Sequence, residues 1–473
     1  MKTKKQKPEP AQAAPAADTL TRRTFLQAAG AGAVVLGFPT VLVSCSSGGG
    51  GGGGSTLKGS VTLFTSKDNS HPQEQAAIFD AVKQKLLDKH PQATFSWDTY
   101  ASADEEVTKL ETSAASREGP DIFEFGSTVV PTGYASNAFD MISNSMWDEL
   151  GGKKAFVQAQ LTLSGPSPDK LIAVPVTANP FALVYNKAMF DAAGISKPPS
   201  NWNDFISAAQ EVTKPDADHW GVAMAPADGF DPWHKVWLFT TQLGGQMISP
   251  DGKHAMLDSA EVVEASGFWL DWMAKYKIAS RQDATFKGAD QIKAFANEKA
   301  AMLVMEGPGG IPTFDKSPVA GHYAWTVDPT VPYGMSSLPS KGKPAQGFVS
   351  GQYWTIFKYS KNKDLALELI KIYLSPEIQY QIWKTRGQTP VILDTFKKYP
   401  DTNQPPWNTF QTAEEKSYPT PFLGSWGQLE VFVGKAINKI SSQIAITGGY
   451  TMADLKSALS AANQQLQASL KQS

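Results

Sequence analysis

Val61-Thr62-Leu63-Phe64 is an apolar run of β-branched and aromatic residues, and Glu74 to Lys89 behind it sets Ala77, Ile78, Ala81, Val82 and Leu86 at helical spacing. The pair reads as a strand followed by an amphipathic helix. Thr94 to Trp97 gives the next strand, Glu105 to Ser116 the next helix, and Asp121 to Phe125 a third strand after the Gly119-Pro120 break. Alternation of this kind builds a doubly wound α/β layer, and such sheets take their ligands beyond the carboxyl ends of the strands. Residues following Phe64 and Phe125 are therefore site candidates on topology alone.

Working outward, Phe181 to Tyr185 is a continuous apolar strand, and Trp202 to Val212 a helix with Ser200 or Asn201 as its N-cap. Val262 to Met273 and Asp364 to Leu374 are further amphipathic helices, the second ended by Pro376, and Met452 to Leu470 closes the chain as a helix. The 473 residues, 41% hydrophobic and 19% charged, suffice for two cores. A formal net charge of -2 offers no basic field for nucleic acid.

The N-terminus sets the compartment. Basic residues (Lys2, Lys4, Lys5, Lys7) precede Arg22-Arg23-Thr24-Phe25-Leu26, then an apolar run from Ala28 to Val43 ends at Leu42-Val43-Ser44-Cys45. That order of zones is a secretion signal over residues 1–44. Arg22 and Arg23 resemble the twin-arginine export signal, although Gln27 stands where many such signals carry Lys, so twin-arginine and Sec export both stay open. Residues 42–45 resemble a lipobox, which implies cleavage before an acylated Cys45. Cys45 is the sole cysteine, so no internal disulfide forms. Residues 45–57, with glycine unbroken from Gly48 to Gly54, form a flexible tether with an end-to-end distance of roughly 18 Å. The expected location is extracytoplasmic, attached to the cell membrane through that lipid alone.

Between Leu171 and Thr213 the order is Leu-Ile-Ala-Val-Pro-Val, then Ala-Leu-Val-Tyr-Asn-Lys-Ala-Met-Phe-Asp-Ala-Ala-Gly-Ile, then Lys-Pro-Pro-Ser-Asn-Trp-Asn-Asp-Phe. This segment resembles the family 1 extracellular solute-binding proteins, the maltose-binding-protein group. Further landmarks fall in the family's order at Asp88-Lys89-His90-Pro91, Gly119 to Phe123, Lys299 to Met302, Ser360 to Lys363, Ser375-Pro376-Glu377 and Gly387 to Val391. The resemblance implies a two-lobed periplasmic-binding-protein fold, each lobe a doubly wound sheet flanked by helices, with ligand in the inter-lobe cleft. It places the N-terminal lobe at 58–178 plus 352–388 and the C-terminal lobe at 179–351 plus 389–473. It further implies a monomer that delivers a small solute, most often a sugar, to ABC permease subunits, without catalysis, cofactor or metal. Two departures leave the ligand open. Glu306-Gly307-Pro308-Gly309-Gly310 stands where many sugar binders carry a Trp, and Val176 to Pro180 lacks a carboxylate often found there.

A sugar needs planar donors and acceptors for its hydroxyls and flat rings for its C–H faces. Ser66, Lys67 and Asp68 follow the first strand; Glu124, Gly126 and Ser127 end the third; Asn179 lies at an expected crossing between the lobes, where turn chemistry before Pro180 competes. Phe230 to Trp237 is the richest mixture: Asp231 serves as a contact or only as an N-cap, with Trp233 favoured over Trp237. After Ser350-Gly351, strand alternation admits one of Tyr353 and Trp354 to the cleft, and Tyr353 is preferred. Trp426, between Ser425 and Gly427, is a candidate stacking ring. The expected ligand set is thus Ser66, Asp68, Glu124, Ser127, Asn179, Asp231, Trp233, Tyr353 and Trp426. Enzyme signatures are weak: six His show no zinc-helix spacing, and Ser167-Pro168-Asp169-Lys170 is flanked by prolines. A carbohydrate-active hydrolase stays as the alternative, because 45 acidic residues always contain possible pairs, as does a binder of a polyol or polyamine.

Overall fold

The computed structural model describes residues 56–330 and 347–470. The export signal with Arg22 and Arg23, Cys45 and nearly all of the 45–57 tether lie outside the described residues. No described helix is long and apolar enough to cross a membrane.

The described residues form eight strands: β1 (Lys58–Ser66), β2 (Gln92–Tyr100), β3 (Ile122–Gly126), β4 (Val174–Ala178), β5 (Ala182–Asn186), β6 (Met302–Glu306), β7 (Tyr323–Thr326) and β8 (Gly351–Ile356). They divide into a five-stranded sheet ordered β2-β1-β3-β8-β4 and a three-stranded sheet ordered β6-β5-β7. Among these strands parallel pairing joins β2, β1 and β3, the stretch where strands and helices alternate most regularly. β8 enters between β3 and β4 antiparallel to both, and the small sheet is antiparallel throughout. Asp121 sets the β1/β3 register: its Oδ2 accepts from Thr62 N at 2.9 Å and Thr62 Oγ1 at 3.0 Å.

The first sheet carries the helix Pro72–Lys89, whose Ile78, Phe79, Val82 and Leu86 are buried with Leu365, Leu369 and Ile370 of Lys363–Tyr373 and Ile378 and Ile382 of Pro376–Arg386. Pro376 does not merely end a helix; it opens the next, where a residue without an N–H costs nothing because that donor would be orphaned anyway. The second body buries Trp202, Phe205, Trp233, Val236, Phe268, Trp269, Trp272, Leu429, Val433, Leu455 and Leu459 in one cluster built from Trp202–Val212, Asp231–Gln242, Ala260–Ala274, Trp426–Thr447 and Met452–Leu470. Asn201, not Ser200, caps Trp202–Val212, its Oδ1 accepting from Asp204 N at 2.9 Å.

The two lobes of this α/β fold are joined where three chain segments run side by side. Ala178 and Thr389 exchange backbone hydrogen bonds of 2.9 Å each way, and Asn179 N donates to Ser350 O at 2.9 Å. Gly351 is required at this junction, since a Cβ there would sit 2.4 Å from Thr177 O and 2.6 Å from Gln160 Oε1.

Candidate ligand-binding site

A cavity of about 710 Å³ opens between the lobes, a size that accommodates a small ligand. On the first-lobe side, the end of β1 and the turn after it supply Ser66, Lys67 and Asp68. Gln75, one turn into the next helix, holds this loop by donating to Ser66 O at 2.7 Å and accepting from Asp68 N at 3.0 Å. Asp68 Oδ1 accepts from Ser70 N at 3.0 Å and His71 N at 2.8 Å, and its Oδ2 accepts from Arg386 Nε at 2.8 Å. Burial works to raise its pKa, but the hydrogen bond from His71 and the Arg386 guanidinium prevail and hold it below the usual carboxylate range. The lower wall is Glu106, Gly126, Ser127 and Thr128. Glu106 Oε1 accepts from Gly126 N at 3.0 Å, and burial together with the nearby Glu430 pushes this carboxyl well above its ordinary pKa.

On the second-lobe side, Asp228 shapes the wall by accepting from Phe230 N at 2.8 Å and Asp231 N at 3.2 Å through Oδ1, and from Gly288 N at 3.0 Å through Oδ2. Asp231 opens the helix Asp231–Gln242 and pairs through Oδ1 with Lys235 one turn on. Its Oδ2 is buried and has no hydrogen-bond partner among the described residues. Trp233 lies beside it, its ring centroid 4.4 Å from His234 and 4.7 Å from Phe348, so an aromatic group backs this wall. Burial, then the charge on Lys235, keeps His234 neutral. Met305, with a left-handed φ of 47°, is fixed by Asp328 Oδ1 accepting its N–H at 3.0 Å, and it turns the chain so that Glu306 reaches the cavity. Asn179, Gln352 and Gln388 line the junction, and the buried Oε1 atoms of both glutamines lack partners among the described residues.

The model of bacterial extracellular solute-binding proteins matches residues 68–380. The chain belongs to that family. As a solute-binding protein it is 26% identical over 392 residues to an erythritol/L-threitol-binding protein of Mycolicibacterium smegmatis, covering 73% of this chain and 79% of the relative. It is 25% identical over 285 residues to the diacetylchitobiose binding protein DasA of Streptomyces coelicolor, covering 60% and 63%. Among solved structures, an ABC transporter solute-binding protein of Thermotoga lettingae bound with α-D-tagatose superposes with a TM-score of 0.72 at 19% identity, covering 88% of this chain and all of that one. These matched proteins are binding proteins by name, and the two-lobed fold is theirs.

Of the ligand contacts expected for this solute-binding protein, Ser66, Asp68, Ser127, Asn179, Asp231 and Trp233 line the cavity. Three do not, for identifiable reasons. Glu124 lies on β3, which is covered on both faces, and its carboxylate is used internally by Ser66 Oγ at 2.6 Å and Trp354 Nε1 at 2.7 Å. Tyr353 is fully buried with its OH 2.8 Å from both Gln160 O and Gln160 Oε1, because β8 is an interior strand that meets the cavity only at its start, through Gly351 and Gln352. Trp426 is 1% exposed and packs edge-on behind Trp233 at 6.0 Å. Asp231 is not an N-cap: Phe230 holds that position, and the Asp231 side chain turns to Lys235.

Glu106, Asp228, Arg386 and Gln388 line the cavity without having been singled out. Gln388 sits within the Gly387 to Val391 landmark and could have been drawn from it, whereas Glu106 reads as one more surface acid in Glu105 to Ser116. No group of three or more His, Cys, Asp or Glu suited to a metal occurs among the described residues.

Proposed function

We propose that this chain is the extracytoplasmic substrate-binding subunit of an ABC importer, taking a mono- or oligosaccharide into the inter-lobe cavity and presenting it to the permease. The observation that carries the reading is the make-up of that cavity. Two facing walls offer hydrogen-bonding groups of both polarities, and Trp233, His234 and Phe348 form an aromatic backing, the combination a polyhydroxylated ring with apolar C–H faces requires. Family membership and the relatives named for diacetylchitobiose and for erythritol/L-threitol support it, the second also favouring a polyol as the alternative solute.

In this reading the lobes are 58–178 plus 352–388 and 179–351 plus 389–473, hinged at the junction of Ala178, Ser350 and Thr389. A solute that touches both walls stabilises the closed arrangement through contacts absent from the open one. The protein acts as a monomer, held to the membrane by a lipid on Cys45 after export directed by the segment around Arg22 and Arg23.

A thermal-shift screen of the mature chain against saccharides, polyols, amino acids and polyamines tests the function. A ligand present at 100 times its dissociation constant adds about 2.7 kcal/mol to native stability, which is readily seen as a higher melting temperature. Shifts with saccharides are expected. Shifts confined to a non-carbohydrate class would displace the sugar reading.

A further inference from the structure

We propose that the solute is an amino sugar whose nitrogen seats against Asp231 and Glu306; the inference rests on the sugar-binding reading of the same cavity. Glu306 ends β6 on the cavity wall and is 6% exposed. Its carboxyl takes a hydrogen bond from the Gly307 N–H and a long one from Gln291 Nε2, 3.5 Å from Oε2, and Gly307 has open space where a side chain would stand. Asp231, 7% exposed, lines the same wall, and its buried Oδ2 has no partner among the described residues. Two buried carboxylates therefore present acceptor atoms that the described residues leave underused.

Acidic side chains outnumber basic ones around them. Lys235 is the buried cation of this wall, and its ammonium is bonded to Asp231 Oδ1. Asp228, Asp231, Glu306 and Asp328 all lie in its vicinity, and His234 is kept neutral. At the rim, Lys287 stands with Asp290, which caps its own helix by accepting Lys287 N at 3.0 Å. Across the cleft, Arg386 is already committed to Asp68. Burial, joined by the charges of Asp231 and Asp228 and opposed by Lys235 and the hydrogen bond from the Gly307 N–H, pushes Glu306 up to about 8. An ammonium brings three donors and no acceptor, and it meets this wall better than a hydroxyl, which supplies one donor and brings lone pairs toward the acids.

The test compares matched sets: D-glucosamine, D-galactosamine and D-mannosamine, each with its parent hexose and its N-acetyl derivative, and chitobiose with cellobiose and N,N′-diacetylchitobiose. Affinities for the mature protein are measured by calorimetry at neutral pH. In at least one set the free amine is expected to bind about tenfold or more tighter than both neutral members. Glu306→Gln, which keeps the size of the side chain and removes its acidity, is expected to melt near the parent and to remove most of that preference. The comparison on the unaltered protein needs no variant, so it stands even if the substitution perturbs folding. Equal or tighter binding of the neutral members overturns the amine assignment and leaves the sugar reading in place. An amine preference unchanged in a folded Glu306→Gln also overturns it. Failure of every saccharide to bind overturns both.

Discussion

Glu430 is the place where the buried acids of this protein should be most visible in stability. It lies on Trp426–Thr447 with no exposed surface, its Oε1 accepts from Thr128 Oγ1 across the lobe junction, and its Oε2 has no partner among the described residues. Burial raises its pKa from an ordinary value near 4.5 to about 8, only partly offset by the hydrogen bond from Thr128. The folded value is above the unfolded one, so the associated stability is fully present below pH 4.5 and is lost as the pH rises toward 8. At about 1.4 kcal/mol per pKa unit, the loss between pH 5 and pH 8 is on the order of 4 kcal/mol. Glu430→Gln keeps the shape and the neutral charge of the protonated acid and removes the titration. Chemical denaturation of parent and variant at pH 5 and pH 8 measures the effect, because raised acids not coupled to it, such as Glu306, Asp283 and Asp328, titrate in both proteins and largely cancel in the double difference, which leaves Glu430 with the Glu106 carboxyl it acts on. The variant is expected to gain on the parent by a few kcal/mol between the two pH values. A stability difference that is the same at pH 5 and pH 8 would show that Glu430 is ionised in the folded protein and refute the burial argument.

Trp426→Ala removes a ring that is 1% exposed and packs behind Trp233, so it is expected to lower unfolding free energy by about 3–5 kcal/mol, read from urea titration. A loss below about 1 kcal/mol with a large loss of ligand affinity would instead return this ring to the binding surface. Cys45→Ser is expected to move the protein from the membrane fraction to the soluble fraction of cells while leaving its melting temperature unchanged. Undiminished membrane retention of that variant would remove the lipid-anchor proposal.

Much of the fold is written locally. Trp202–Val212 and Met452–Leu470 have the bounds their periodicity and capping residues imply, and the strand-helix alternation from Val61 to Phe125 corresponds to β1, β2 and β3 with their helices. This is so because a helix closes its hydrogen bonds four residues away and buries one stripe, which leaves a readable period. The candidate site was legible only where loops follow strands, at Ser66, Asp68, Ser127 and Asn179, and in the crowded segment from Asp231 to Trp233. Sheet order was settled by tertiary contacts: β8 arrives from more than 200 residues after β3 to pair with it, and that insertion buries Glu124, Trp354 and Tyr353 together. A strand covered on both faces has no polar period to reveal which side meets the ligand. The same holds for charge. Sequence alone shows a chain near neutrality, but only packing concentrates Asp228, Asp231, Glu306 and Asp328 around Lys235, where the cost of burying charge makes their imbalance informative.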